Sequence, residues 1–313
     1  MKSVIKKIII FTLYYSGVNY LIGKSNSDKI FCLGYHSVWS DKNREDFYQD
    51  LYWSISISTE EFEKQIVFLK NNSHTFVHFS DLKNMEIKKI SKPTIIFFDD
   101  GFRDVLVNAL PILNKYNIPA TIFLTTGLID KKLFMWTMSV RYLLLKRGVN
   151  EQEIENKIAE LKKISMKDRE SLILEMFKDE KIVLNPANFS VFLNWEEIKD
   201  LSNNNFEIGS HGITHQKLTD FDNDNLRTEL ADSKKEIENN IGKTIEVLSY
   251  PYGRSDDKVR RSATSCGYIF GISGNRGYNR ASDINNFPME IKRMNADECK
   301  SQMDFQVKLY TNI

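Results

Sequence analysis

From about Lys29 onward, short apolar runs alternate with amphipathic stretches. KIFCLGYHSV, TFVHF, TIIFF (94–98), PATIFL (119–124), FEIGS, TIEVLSY, YIFGIS and MEIKRM predict strands. TIIFF is a continuous apolar run, as in a strand covered on both faces. Helical stripes lie between the strands. EEFEKQIVFLKNN, with Thr59 as its cap, sets Phe62, Ile66 and Leu69 on one face. Val105, Ala109, Ile112 and Leu113 mark a helix after Gly101. Asn194 caps WEEIKDLSNNN. Leu226, Leu230, Ile237 and Ile241 share a face of a helix over 223–241, and Gly242 suits its end. Another helix begins near Ser255, and one more closes the chain.

Repeated strand–helix units predict a parallel sheet. No Gly-rich phosphate loop follows the first strand, which favours a closed or nearly closed barrel over an open nucleotide-binding sheet. Residues from about 133 to 183 break the rhythm. They are helical, rich in Lys and Glu, and contain no strand candidate. They read as an insertion on one barrel domain spanning 29–313. Residues 1–28 form a separate segment. Lys2, Lys6 and Lys7 precede an uncharged stretch from Ile8 to Gly23, closed by Lys24. The stretch is shorter than the ~20 residues of a spanning helix. It reads as a helix packed on the domain or lying in a membrane interface. Peripheral membrane contact through residues 1–24 is therefore expected, with a cytoplasmic or membrane-peripheral location. A membrane anchor or an export signal is the other reading, although no clear small-x-small cleavage site follows.

The 313 residues suffice for one large α/β barrel or two ordinary domains. With 42% hydrophobic and 27% charged residues the chain is globular, and a net charge of +1 gives no reason to expect nucleic-acid binding. Three scattered cysteines argue against a disulfide framework or a thiolate metal site, and mildly favour a reducing compartment.

In parallel barrels, chemistry gathers at the C-terminal ends of the strands. That rule selects Tyr35-His36, Asp99-Asp100, His211 with His215, and Tyr250-Pro251-Tyr252. Adjacent carboxylates at the end of a buried strand are destabilising unless a cation offsets their repulsion and desolvation. The other reading of DDG is a turn, with Asp capping the next helix and Gly101 reversing the chain. His211 and His215, in GSHGITH, use two of the five histidines. Their spacing sets both imidazoles on one side of a helical turn or tight loop. Two His and one Asp make a three-ligand set with positions left for water and substrate. His36 is a functional candidate or a rim histidine bonded to backbone. His74 and His78 lack a partner motif and read as structural. Trp39, Trp136 and Trp195 lie near the motif segments, as core residues or as faces for sugar rings.

DDG after an apolar strand, then GSHxxxH, then YPYG resembles the polysaccharide deacetylase family (NodB homology, carbohydrate esterase family 4). The resemblance runs over about 31–297 and includes WEEIKDLSNNNFEIGSH. It implies a distorted, incomplete TIM-like (β/α) barrel and a divalent metal, commonly zinc (Zn2+). It also implies that Asp100, His211 and His215 bind the metal and that Asp99 is the catalytic base. The backbone N–H of Tyr252 would hold the oxyanion. Two features depart from the family pattern. The usual acid is a histidine near the C-terminus, yet no histidine follows His215. A circularly permuted subset, similar to poly-N-acetylglucosamine deacetylases, carries it in an N-terminal YH motif. LGYHSV matches that motif and implies His36 as the acid. The arginine usual before Pro-Tyr is also absent, with Leu248-Ser249-Tyr250 in its place. Arg293, in MEIKRM, resembles an arginine near the C-terminal end of this subset that would orient Asp99 by a bidentate contact. Otherwise it is a surface arginine on an edge strand.

The expected activity is metal-dependent removal of N-acetyl groups from an amino sugar in a polysaccharide or lipid-linked glycan. The alternatives are an O-acetyl esterase on the same fold and a non-catalytic glycan-binding relative. Tolerance of His36 loss would mark the esterase, and bound metal without turnover the binder.

Overall fold

A computed structural model describes residues 2–40, 55–131, 135–178, 191–299 and 301–311. The strands are β1 (Phe31–Tyr35), β2 (Ser37–Trp39), β3 (Ser56–Ser58), β4 (Thr75–Phe76), β5 (Pro93–Phe98), β6 (Ala120–Leu124), β7 (Phe206–Ser210), β8 (Val247–Ser249), β9 (Phe270–Arg276) and β10 (Ile291–Asn295). The helices are α1 (Lys2–Tyr15), α2 (Val18–Ser25), α3 (Thr59–Asn71), α4 (Leu110–Tyr116), α5 (Trp136–Lys146), α6 (Glu151–Leu161), α7 (Met166–Lys178), α8 (Trp195–Asn203), α9 (Asn223–Ile241), α10 (Asp257–Ser265), α11 (Ala281–Asn286) and α12 (Gln302–Thr311).

β1, β10, β9, β8, β7, β6 and β5 lie side by side in that order, all parallel, and β5 pairs back onto β1. The result is a closed barrel of seven strands ringed by helices, one strand short of the regular eight. The short β4 shares an edge of β5 with β6: it pairs with the first residues of β5, and β6 pairs with the last. KIFCLGYHSV is not one strand. It breaks at His36, and β2 leaves the barrel to pair with β3 in a separate parallel ribbon.

Successive strand residues face opposite sides. Cys32, Ile95, Phe97, Phe123, Val247, Ile272 and Ile291 form one buried cluster in the lumen. Phe31, Leu33, Ile96, Phe98, Ile122, Ile208 and Leu248, of the opposite parity, pack against the helices. α3 supplies Phe62, Ile66 and Leu69 to that outer layer, α8 supplies Ile198 and Leu201, and α9 supplies Leu226, Leu230 and Ile237. The lumen is floored by aromatic rings, with the Phe97 and Phe123 centroids 5.6 Å apart. Two glycines make room for them. A Cβ on Gly34 would come within 2.7 Å of Phe97, and one on Gly209 would collide with Phe123.

Helix ends follow from local chemistry. Asn194 and Glu197 form a reciprocal capping box at α8. Gly242, at φ 70°, ends α9. The cap of α3 is Ser58 rather than Thr59. Ser58 is extended and its hydroxyl accepts the Glu61 N–H, while Thr59 is already helical. The helix after Gly101 starts with a wide π-type turn, Val105–Ala109, before α4. Pro111, near the α4 start, has no N–H with which to continue a regular ladder backwards.

α5, α6 and α7 lie between β6 and β7 in sequence and share their own apolar core, including Val140, Leu143, Ile154, Ile158, Ile173 and Phe177. Of the expected insertion, residues 133–134 and 179–183 lie outside the described residues. α1 and α2 pack against α12, where Gly23 lies against the Tyr310 ring. Among the described residues, no helix is long and apolar enough to cross a membrane.

Candidate active site

The lumen parity carries chemistry upward. Cys32 and Gly34 lead to His36, Ile95 and Phe97 lead to Asp99, and Glu207 and Gly209 lead to His211. His36, Asp99 and His211, with Asp100, His215, Tyr252, Arg293 and Asp297, line a cavity of ≈ 410 Å³ at the C-terminal ends of the strands. Its outer wall comes from the α5–α6 region, including Met138, Arg141, Glu155 and Lys162.

Asp100 and Gly101 turn away from β5 with positive φ, 74° and 83°. The turn aims the Asp100 carboxylate at the histidine loop. Its Oδ1 lies 3.4 Å from His211 Nε2 and 3.1 Å from His215 Nε2. One ligand atom from each of the three residues falls within 4.8 Å of the others. Burial alone would raise Asp100, but His215 beside it, with His36 and His211, holds it well below the usual carboxylate range. Burial pushes His211 down to about 4, against the pull of Asp99 and Asp100, so its ring is neutral at neutral pH. His211 Nδ1 donates to the Ser249 carbonyl oxygen at 2.7 Å, which leaves Nε2 as a lone-pair donor toward Asp100. Asp100 Oδ1 is buried, and among the described residues no N–H or O–H meets it in hydrogen-bonding geometry. A carboxylate oxygen facing the lone pair of the neutral His211 imidazole is unfavourable unless a cation sits between them. The donor set therefore fits a divalent metal, and two His with one carboxylate suit zinc.

The histidine loop is held from behind. Glu229 of α9 is 4% exposed. Its Oε1 accepts the Ile213 and Thr214 N–H groups at 2.7 Å each, and the Thr214 hydroxyl at 3.0 Å. Gly212 admits that carboxylate, since a Cβ there would stand 2.8 Å from it.

Beside the cluster lie two charge pairs. Asp99 Oδ2 accepts from Arg293 Nη1 at 2.5 Å, and Arg293 Nε donates to Asn295 Oδ1 at 2.7 Å. The contact to Asp99 is thus single, through Nη1, rather than the expected bidentate one, and Asn295 holds Nε. Arg293 is 7% exposed and β10 lies between β1 and β9, so the edge-strand reading fails. Burial would raise Asp99, but the Arg293 charge, with His211 and His36, lowers it. No donor reaches its other oxygen, Oδ1, among the described residues. His36 Nδ1 donates to Asp297 Oδ2 at 2.7 Å, and its Nε2 stands 4.0 Å from Asp99 Oδ2. Burial would lower His36, yet the charge and hydrogen bond of Asp297 prevail and push it up to about 9. The ring is therefore an imidazolium at neutral pH, with Nε2 turned toward Asp99.

Tyr252 has a left-handed backbone, φ 58°. Its ring centroid is 4.9 Å from that of His215, and its hydroxyl accepts from Trp136 Nε1 at 2.8 Å. Trp136 is buried behind the site, while Trp195 packs partly buried on the main core. Trp39 is half-buried on β2. His74 is bonded to Thr94 and the Tyr310 hydroxyl, and His78 to the Asn205 carbonyl, away from the cavity. The sequence reading missed Asp297, Glu229 and the bond between Trp136 and Tyr252.

Residues 86–271 match the family model described as polysaccharide deacetylase. A Bacillus subtilis (strain 168) protein, YxkH, named as a candidate polysaccharide deacetylase, is 24% identical over 252 residues, 80% of this chain and 66% of that protein. A Staphylococcus aureus (strain MSSA476) protein named poly-beta-1,6-N-acetyl-D-glucosamine N-deacetylase is 27% identical over 220 residues, 70% of this chain and 61% of that protein. The chain spans under two thirds of the length of these curated relatives. The solved Streptococcus pyogenes deacetylase PplD, in complex with acetate, superposes with a TM-score of 0.60 at 18% identity, over 91% of this chain and 99% of that one. That likeness is one of fold.

Proposed function

The chain belongs to the polysaccharide deacetylase family, and we propose that it is a metal-dependent N-deacetylase acting on an amino sugar in a polysaccharide or lipid-linked glycan. One observation carries the reading: a buried Asp–His–His ligand set shares a cavity with an ionised carboxylate and an imidazolium. Asp100, His211 and His215 would hold the ion, by ligand type zinc. When bound, it supplies Lewis acidity, making water a stronger acid and a carbonyl a better electrophile. Asp99 Oδ1, left free by the Arg293 contact on Oδ2, takes the proton of the attacking water. The Tyr252 backbone N–H is the oxyanion donor that the family resemblance implies. His36 Nε2 delivers a proton to the departing amine, and Asp297 keeps it loaded. An amine leaves only when protonated, whereas an ester alcohol makes less demand. A histidine held as imidazolium therefore supports amide over ester chemistry. The name of the S. aureus relative supports an N-acetylglucosamine polymer as substrate.

Residues 1–24 are proposed to touch an anionic membrane surface, with the protein cytoplasmic or peripheral to that membrane. Ile8, Phe11, Tyr15 and Leu21 are 56–68% exposed. The sequence there carries Lys2, Lys6, Lys7 and Lys24, with no acidic residue before Asp28.

The test is incubation of purified protein and Zn2+ with N-acetylated and O-acetylated glycans, measuring acetate and new free amines. Acetate matched by amines is expected, abolished by chelation and restored by Zn2+. Acetate without amines would make it an O-acetyl esterase, and no acetate from any glycan would end the enzymatic reading.

A further inference from the structure

α7 carries an arginine that the chemistry above does not use. Arg169 is 2% exposed. Among the described residues it has no carboxylate within ion-pair distance, and its Nε is buried without a partner. Its guanidinium lies over the Trp136 ring, 4.7 Å from the centroid, and its Nη2 donates to Gln216 Oε1. A buried charge without a counter-charge is unfavourable, and a well-packed apolar residue would serve stability better.

Both partners of Arg169 lead to the same ligand. Gln216 directly follows His215, whose backbone is left-handed at φ 54°. A non-glycine residue keeps that conformation only when its surroundings hold it there. Glu229 grips the loop just before His215, through Ile213 and Thr214. Arg169 grips it just after. By the other route, Trp136 Nε1 bonds the Tyr252 hydroxyl, and the Tyr252 ring lies against His215.

We propose that Arg169 is a positioning residue of the metal centre, fixing His215 through Gln216 and through the Trp136–Tyr252 pair. Helices α5 and α7 then form part of the site's support rather than an appendage to the barrel. The inference rests on the metal reading of Asp100, His211 and His215. It differs from a purely structural role in what it moves: the geometry of a ligand, not the stability of the fold.

Arg169→Met keeps the length of the side chain and removes its charge and donors. Zn2+ affinity of the full chain is read by competition with a chromophoric chelator, beside the thermal midpoint of the metal-free protein. The expected result is a loss of Zn2+ affinity of about 10–100-fold, with the midpoint unchanged or raised. A loss of threefold or more at such a midpoint supports the proposal, and a smaller one overturns it whatever the midpoint does. If Arg169→Met does not fold or its midpoint falls, Gln216→Met cuts the same contact from the loop side and the same threefold criterion decides. A parent chain that takes up no Zn2+ overturns the metal reading together with this one. A parent that binds Zn2+ beside a variant that binds it equally well overturns this one alone.

Discussion

Asp297→Asn isolates the charge that sets His36. The asparagine keeps an oxygen where Asp297 Oδ2 accepts from His36 Nδ1 at 2.7 Å, and removes only the charge. Burial pulls His36 below its ordinary 6.5, and Asp297 supplies most of the opposing pull that brings it to about 9. At ~1.4 kcal/mol per pKa unit, that rise corresponds to roughly 3 kcal/mol in favour of the imidazolium. In the variant only the more distant carboxylates of Asp99 and Asp100 oppose burial, so the ring returns to its ordinary value or below. At pH 8 a group titrating near 9 is roughly 90% protonated and one near 6.5 roughly 3%. Turnover of an N-acetyl substrate should therefore fall about 30-fold or more at pH 8 and far less at pH 5.5. The assay is acetate release across pH 5.5–9.5, where the alkaline limb should move to lower pH. Stability gives a second readout. A folded-state pKa raised from 6.5 to about 9 stabilises the fold fully below 6.5, and that contribution is lost as pH rises through about 9. The variant should lack most of this decline. An alkaline limb and a stability profile that both superimpose on the parent's would refute the role given to Asp297.

His211→Ala or His215→Ala should remove the roughly one divalent ion per chain expected of the site, read by elemental analysis; full occupancy in the double variant would sink the ligand assignment. Asp99→Asn should keep metal and lose turnover, while Asp100→Asn should weaken metal binding; the opposite pattern would mean the two roles are exchanged. His36→Ala should fold and hold metal, lose about 10²–10⁴-fold on an N-acetyl substrate and much less on an activated acetyl ester. Equal losses on both would make His36 a binding or structural residue. Vesicles of anionic lipid should retain the full chain and release it in high salt; equal retention of a variant lacking residues 1–24 would exclude that segment as the contact.

The strand-end rule located His36, Asp99, Asp100, His211, His215 and Tyr252 because a parallel barrel sends every loop that follows a strand to one rim. Its failures are physical. Asn295 and Asp297 stand at the end of β10, where no adjacent motif marks them. His36 and Asp297 are separated by 261 residues, so no local pattern links them. Arg293 had two readings because a single arginine in a short strand does not reveal whether that strand is flanked on both sides. Glu229 left a trace: it sits in the stripe of Leu226, Leu230 and Ser233, an acid where the face is otherwise buried. Arg169 left none, since a charged residue in a Lys- and Glu-rich helix looks like any solvated one. The cap shift from Thr59 to Ser58 reflects two adjacent hydroxyl residues, either of which can serve.

The closure of the ring has a consequence for the order of events during synthesis. β10 is inserted between β1 and β9, so among the described residues the strand made latest completes the neighbourhood of the one made earliest. A growing chain presents His36, then Asp99 and Asp100, then the histidine loop, well before Arg293 and Asp297 exist. Until then Asp99 lacks the Arg293 guanidinium and His36 lacks the Asp297 carboxylate that accepts from its Nδ1. Pairing across such a separation is entropically late. On the proposed reading, a nascent or C-terminally shortened chain would carry Asp100, His211 and His215 and still be hydrolytically silent. Competence would arrive only as the barrel shuts.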